Sequence, residues 1–99
     1  MTINKSNNDM VQGSTGMTIL NNFDITMAAD HTWRTNTTGH TLTVLGNLYL
    51  REGRIGHTTQ YDGVINWGNV SITSGELVLS SGTNNFTGIR NIGGTISQS

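Results

Sequence analysis

The sequence contains no cysteine and no proline, and it has few charged residues. Without cysteine the chain can form neither a disulfide framework nor a cysteine-ligated metal site. Five basic and six acidic residues give a net charge of −1, so no basic excess attracts nucleic acid or an anionic membrane. No apolar run approaches the ~20 residues of a membrane-spanning helix. The first residues lack the apolar core of a signal peptide, and we expect no secretion signal.

Small and polar residues are abundant instead. Glycine, threonine, asparagine and serine make up 49 of the 99 residues, whereas leucine, isoleucine, valine and phenylalanine make up 23. That apolar content is only slightly above the roughly 20% below which chains tend to be disordered. A lone subunit of this composition would have a marginal core. We therefore predict a homotrimer whose subunits share one core.

Apolar residues alternate with polar ones in several short runs, which is the period of a half-buried strand. The clearest runs are Leu42–Val44, Leu48–Leu50, Val70–Ile72 and Leu77–Leu79. Threonine, valine and isoleucine favour strands, and only two alanines are present. The pattern predicts an all-β fold built from short strands.

Glycine spacing divides these strands. Gly46 and Gly53 are seven residues apart, as are Gly68, Gly75 and Gly82, and each glycine can supply the unusual backbone angles of a tight corner. The triplets at 39, 46, 53 and at 68, 75, 82 are offset by 29 residues, which suggests an internal repeat of 39–53 and 68–82. Such spacing is typical of a β-solenoid, a meander or barrel-like module, or an intertwined trimeric β-shaft.

The composition changes near residue 16. Residues 1–16 are polar, and we interpret them as a flexible N-terminal arm that either docks onto a neighbouring protein or has no partner. Docking would use its apolar side chains, which are Ile3, Met10 and Val11. Residues 17–99 are predicted to form a single all-β domain. It begins with strands at Met17–Leu20 and Phe23–Met27, followed by a loop or edge at Thr32–Thr38.

The residues that carry chemistry form no recognisable catalytic or ligand-binding motif. The spacings of His31, His40 and His57 match no compact metal site, although one histidine per chain could meet its copies on a three-fold axis. No feature pairs two carboxylates for glycoside hydrolysis, no serine lies in G-x-S-x-G, and the sole lysine, Lys5, lies outside any phosphate loop. We predict a protein that is not an enzyme and holds no metal or cofactor.

The aromatic residues leave two interpretations open. Core or inter-subunit anchoring is the usual role of tryptophan and tyrosine, but exposed rings among asparagine and threonine can also stack on sugars. The residues concerned are Trp33, Tyr49, Tyr61 and Trp67. Residues 61–68 interrupt the seven-residue spacing, which predicts a protruding loop or a longer strand.

The stretches NVSITSGELVL at 69–79 and HTLTVLGNL at 40–48 resemble bacteriophage structural proteins. The resemblance is to fibre shafts, tail spikes and small capsid decoration proteins, and it implies a homotrimeric virion component assembled in the host cytoplasm. Because the chain is short and has its own Met1, we expect a decoration (cement) protein rather than a long fibre. Such a protein would bridge subunits of the major capsid protein or dock onto another virion protein. The alternative is a tail-fibre or tail-spike segment that binds a host cell-surface glycan.

Overall fold

The computed structural model of the chain describes residues 1–5, 10–11, 16–34, 40–56 and 62–98. This described part contains β-strands and no helix, and so no helix that could cross a membrane. The strands are β1 (Thr2–Lys5), β2 (Met10–Val11), β3 (Met17–Ile19), β4 (Phe23–Met27), β5 (Thr32–Arg34), β6 (Thr41–Val44), β7 (Asn47–Glu52), β8 (Arg54–Ile55), β9 (Val64–Ile72), β10 (Glu76–Leu79), β11 (Thr83–Asn91) and β12 (Thr95–Gln98).

The strands stack in parallel from one turn of the chain to the next. The first side of each turn contains β3, β6 and the first parts of β9 and β11. The second side contains β1, β4, β7 and the last parts of β9 and β11, and the third contains β2, β5, β8, β10 and β12. This arrangement confirms the all-β prediction and, among the architectures left open, the β-solenoid.

Glycines lie at the corners, but the period of the solenoid differs from the predicted repeat. A Cβ on Gly68 would lie 2.8 Å from the Gly46 carbonyl oxygen, and one on Gly75 would lie 2.1 Å from that of Gly53. These stacked pairs are each 22 residues apart in the sequence. The offset of 29 residues between 39–53 and 68–82 is therefore not the length of a turn. Seven residues make one side and its corner, and three sides make one turn.

Stacked apolar side chains fill the interior. One row contains Phe23, Leu48 and Val70 on the second side, and another contains Trp33, Ile55 and Leu77 on the third; all are at most 3% exposed. Large aliphatic and aromatic residues on three sides face one another, so a single chain covers its own apolar faces. The core does not require identical neighbours, which was the physical premise of the trimer prediction. The trimer itself stays a prediction.

The N-terminal segment differs from the predicted flexible arm. Thr2–Lys5 pairs in parallel with β4, and Met10–Val11 pairs with Trp33 and Arg34 of β5. The side chain of Ile3 stacks on Ile25 and is 8% exposed. Ile3 is thus a core residue rather than a docking contact. Thr32–Arg34, predicted as a loop or edge, is likewise a strand, because Trp33 fills the interior of the third side.

The C-terminal end of the solenoid is less well covered than the turns above it. Ile89 stacks under Val70 but is 48% exposed, and Ile96 stacks under Leu77 but is 38% exposed. Among the described residues, β11 pairs only with β9 and β12 only with β10, so each has one open edge. The last turn therefore presents apolar side chains together with unpaired backbone groups.

Candidate functional site

The predicted aromatic residues divide into two groups. Trp33 and Trp67 are buried: Trp33 contacts Phe23 edge to face at 4.8 Å, and Trp67 stacks on Phe86 at 6.2 Å between ring centroids. They anchor the core within one chain. Tyr49 is only half-buried and stands on the outer face of the second side. Tyr61 lies outside the described residues.

A groove of about 260 Å³ runs across the outer face of the second side, beside Tyr49. Three consecutive turns build it, because Tyr49 lies above Ser71 and Ser71 lies above Arg90 in the parallel register. Adjacent strands are about 4.8 Å apart, which places the backbones of Tyr49 and Arg90 about 10 Å apart. The small Ser71 side chain between them forms the floor of the groove.

Two asparagines form the neighbouring wall. Asn47 lies above Asn69, and the Asn69 Nδ2 donates to the Asn47 Oδ1 at 3.3 Å. The backbone N–H of Asn47 in turn donates to the Asn22 Oδ1 at 2.9 Å. The next residue below Asn69 is Gly88, which has no side chain to fill the space. The groove therefore has amide groups along one wall and stays open toward the last turn.

Charge is unevenly distributed around the groove. The Arg51 Nε and Nη2 each donate to one oxygen of Asp24 at 2.9 Å, a bidentate pair between β7 and β4. The same guanidinium lies over the Tyr49 ring, 5.4 Å from its centroid. Arg90, in contrast, forms no ion pair or hydrogen bond with any residue that the structure describes. The lining of the groove thus carries one unpaired positive charge.

The Asp24–Arg51 pair predicts an acid-dependent loss of stability. Its hydrogen bonds to Arg51 hold the pKa of Asp24 below the usual value of 3.8, so the stabilisation is complete above that value and is lost as the pH falls through the lower pKa of the folded state. We expect Asp24→Asn to weaken the decline in unfolding free energy between pH 5 and pH 2, measured by urea titration at each pH. Asp30→Asn is the control, because Asp30 is 89% exposed. An unchanged pH profile for Asp24→Asn would contradict this assignment.

Other titratable side chains are dispersed or serve the fold. Within the described ranges no three histidine, aspartate or glutamate side chains gather where they could hold a metal ion. The Arg54 Nε donates to the Glu76 Oε1 at 2.7 Å, its Nη1 donates to Thr32, and the Ser97 hydroxyl donates to the Glu76 Oε2. These contacts join four successive turns on the third side. His31 lies 3.6 Å from Asp30, and His57 is outside the described residues.

The sequence singled out Tyr49 but missed the other residues of the groove. Asn47, Asn69, Ser71 and Arg90 are spread over more than forty positions, and only the stacking of turns brings them together. The one available signal was the shared form of the segments around Gly46 and Gly68, each of which continues Gly-Asn followed by an apolar residue.

Comparison with protein-family models, curated proteins and solved structures finds no match.

Proposed function

We propose that this protein is a non-enzymatic structural protein of a bacteriophage virion, a homotrimeric decoration protein that docks onto the major capsid protein. The observation that carries the proposal is the incompletely covered last turn. Ile89 and Ile96 continue buried rows of the core yet are 48% and 38% exposed, and β11 and β12 each offer an open edge. A partner that covers this end would bury apolar side chains and pair backbone groups.

The trimer would use a different surface, at the corner between the first and second sides. Leu20 and Leu45 occupy the same position on consecutive turns, since Ile19 pairs with Val44 directly before them. They are 72% and 62% exposed. Three copies that meet at this corner would bury these leucines, and the trimer would then present three C-terminal ends to the shell. A trimer that bridges capsid subunits stabilises only the assembled state.

Separate variants test the two surfaces. Light scattering should give three times the 10.7 kDa chain mass for the wild type, and the chain mass for Leu20→Ser/Leu45→Ser. Ile89→Ser/Ile96→Ser should remain trimeric but lose co-sedimentation with expanded capsids. A monomeric wild type would overturn the trimer, and undiminished capsid binding by the isoleucine variant would overturn the docking surface.

A second candidate, glycan binding by a tail-fibre or tail-spike segment, is favoured by the groove beside Tyr49. Here the expected result is co-sedimentation with host cells rather than with capsids. A reducing-end assay on host polysaccharide should show no new ends, since the proposal contains no enzymatic step.

A further inference from the structure

The groove on the second side combines three kinds of contact that sugars use. The Tyr49 ring offers an apolar face, on which the C–H groups of a pyranose ring can pack. The Asn47 and Asn69 amides and the Ser71 hydroxyl can donate to and accept from sugar hydroxyls. At about 260 Å³ the groove is smaller than most sites for drug-sized ligands, roughly 300–1,000 Å³, which suits one sugar ring.

Arg90 adds a requirement for charge. Its exposed guanidinium lies at the lower end of the groove, with only Ser71 between it and Tyr49 in the register. Arg51, the other guanidinium near Tyr49, is already neutralised by Asp24. Arginine binds a carboxylate through two parallel hydrogen bonds. The geometry therefore selects a ring that carries a carboxylate at the end opposite the tyrosine contact.

We propose that this groove binds an acidic saccharide, with the sugar ring against Tyr49, its hydroxyls on the Asn47–Asn69 wall and its carboxylate on Arg90. This inference deepens the glycan-binding candidate and does not depend on capsid docking. The ligand class is a uronic-acid or similar carboxylated sugar, and a neutral sugar of the same shape lacks the charged contact.

A matched pair of small ligands tests the proposal. Methyl glucuronide and methyl glucoside differ by the carboxylate, and each is titrated into the intact protein while the backbone amide signals are followed by NMR. We expect the glucuronide to shift signals of Asn47, Asn69 and Ser71 and to bind at least tenfold more tightly than the glucoside. Sodium acetate, which has the charge without the ring, should bind at least tenfold more weakly than the glucuronide.

Variants separate the contacts. Arg90→Gln should reduce glucuronide affinity to the level of the glucoside, whereas Arg34→Gln removes the same charge on the third side and should leave it unchanged. Tyr49→Phe should keep binding, and Tyr49→Ala should lose most of it. Thermal unfolding of each variant shows that the fold is retained.

Three results would overturn the proposal. These are equal affinity for the two glycosides, equal affinity for acetate and glucuronide, or full glucuronide binding by Arg90→Gln. Capsid co-sedimentation is measured in parallel on Arg90→Gln and should not change. Failure of the groove and failure of the capsid proposal therefore give different results.

Discussion

Replacing Gly75 by alanine is expected to lower the free energy of unfolding by more than about 3 kcal/mol. The φ angle of Gly75 is +97°, a conformation that costs other residues about 1–3 kcal/mol. A Cβ at this position would also lie 2.1 Å from the Gly53 carbonyl oxygen in the turn above. Relieving that overlap separates two stacked turns, at about another 1–3 kcal/mol. Urea unfolding followed by circular dichroism measures the loss.

Gly88→Ala is the matched control for this prediction. Gly88 has no positive φ, and the only contact of its Cβ under 3 Å would be the Asn69 Oδ1, the end of a side chain that can rotate away. We expect a change below about 1 kcal/mol. Equal destabilisation by the two substitutions would show that the close contact at the Gly53–Gly75 corner does not control the stacking of the turns.

The alternation of apolar and polar residues was enough to predict the strands of the later turns, because each strand has one face inside and one outside. Leu48 and Leu50 are buried on either side of the outward Tyr49, as the pattern predicts. The period could not be predicted as well. Stacked residues are 25 positions apart at Asp24 and Tyr49 but 19 apart at Ser71 and Arg90, so no single repeat length fits the chain.

The first turn shows why composition alone misplaced the N-terminal segment. Thr2–Lys5 contains one large apolar residue, Ile3, and resembles a solvated arm. In a solenoid the strand needs only one inward side chain, because the backbone hydrogen bonds come from β4. The sequence of residues 1–16 contains no record of that partner, which lies about twenty positions away.

The groove was unpredictable for the same reason. A ladder of side chains such as Tyr49, Ser71 and Arg90 depends on the register between turns, and one residue of slippage would turn each of them to the inside. The sequence identifies Tyr49 as an aromatic among polar neighbours. It does not show which arginine lies beneath it or that Arg51 is already paired with Asp24.

Replacing Asn84 by alanine is expected to cost about 2–4 kcal/mol of unfolding free energy. Asn84 stacks under Ile65 and so occupies a core position in the last turn. Its Oδ1 accepts from the Trp67 Nε1–H and from the Ser80 N–H, each at 3.0 Å, and its Nδ2 donates to the Ser80 carbonyl at 2.7 Å. Trp67 is fully buried. The substitution therefore leaves its N–H without a partner, and an orphaned buried donor costs about 1–3 kcal/mol.

The adjacent asparagine provides the control. Asn85 faces outward and donates one exposed hydrogen bond to the Asn66 Oδ1 at 2.9 Å, so Asn85→Ala should cost less than about 1 kcal/mol. Asn84→Asp keeps the acceptor for Trp67 but loses the donor to Ser80, and an intermediate loss is expected. Urea unfolding monitored by tryptophan fluorescence compares the three variants. If the alanine variants at 84 and 85 unfold at the same urea concentration, the amide of Asn84 does not close the end of the core over Trp67, and the apolar stacking of Phe86 on that indole must be sufficient.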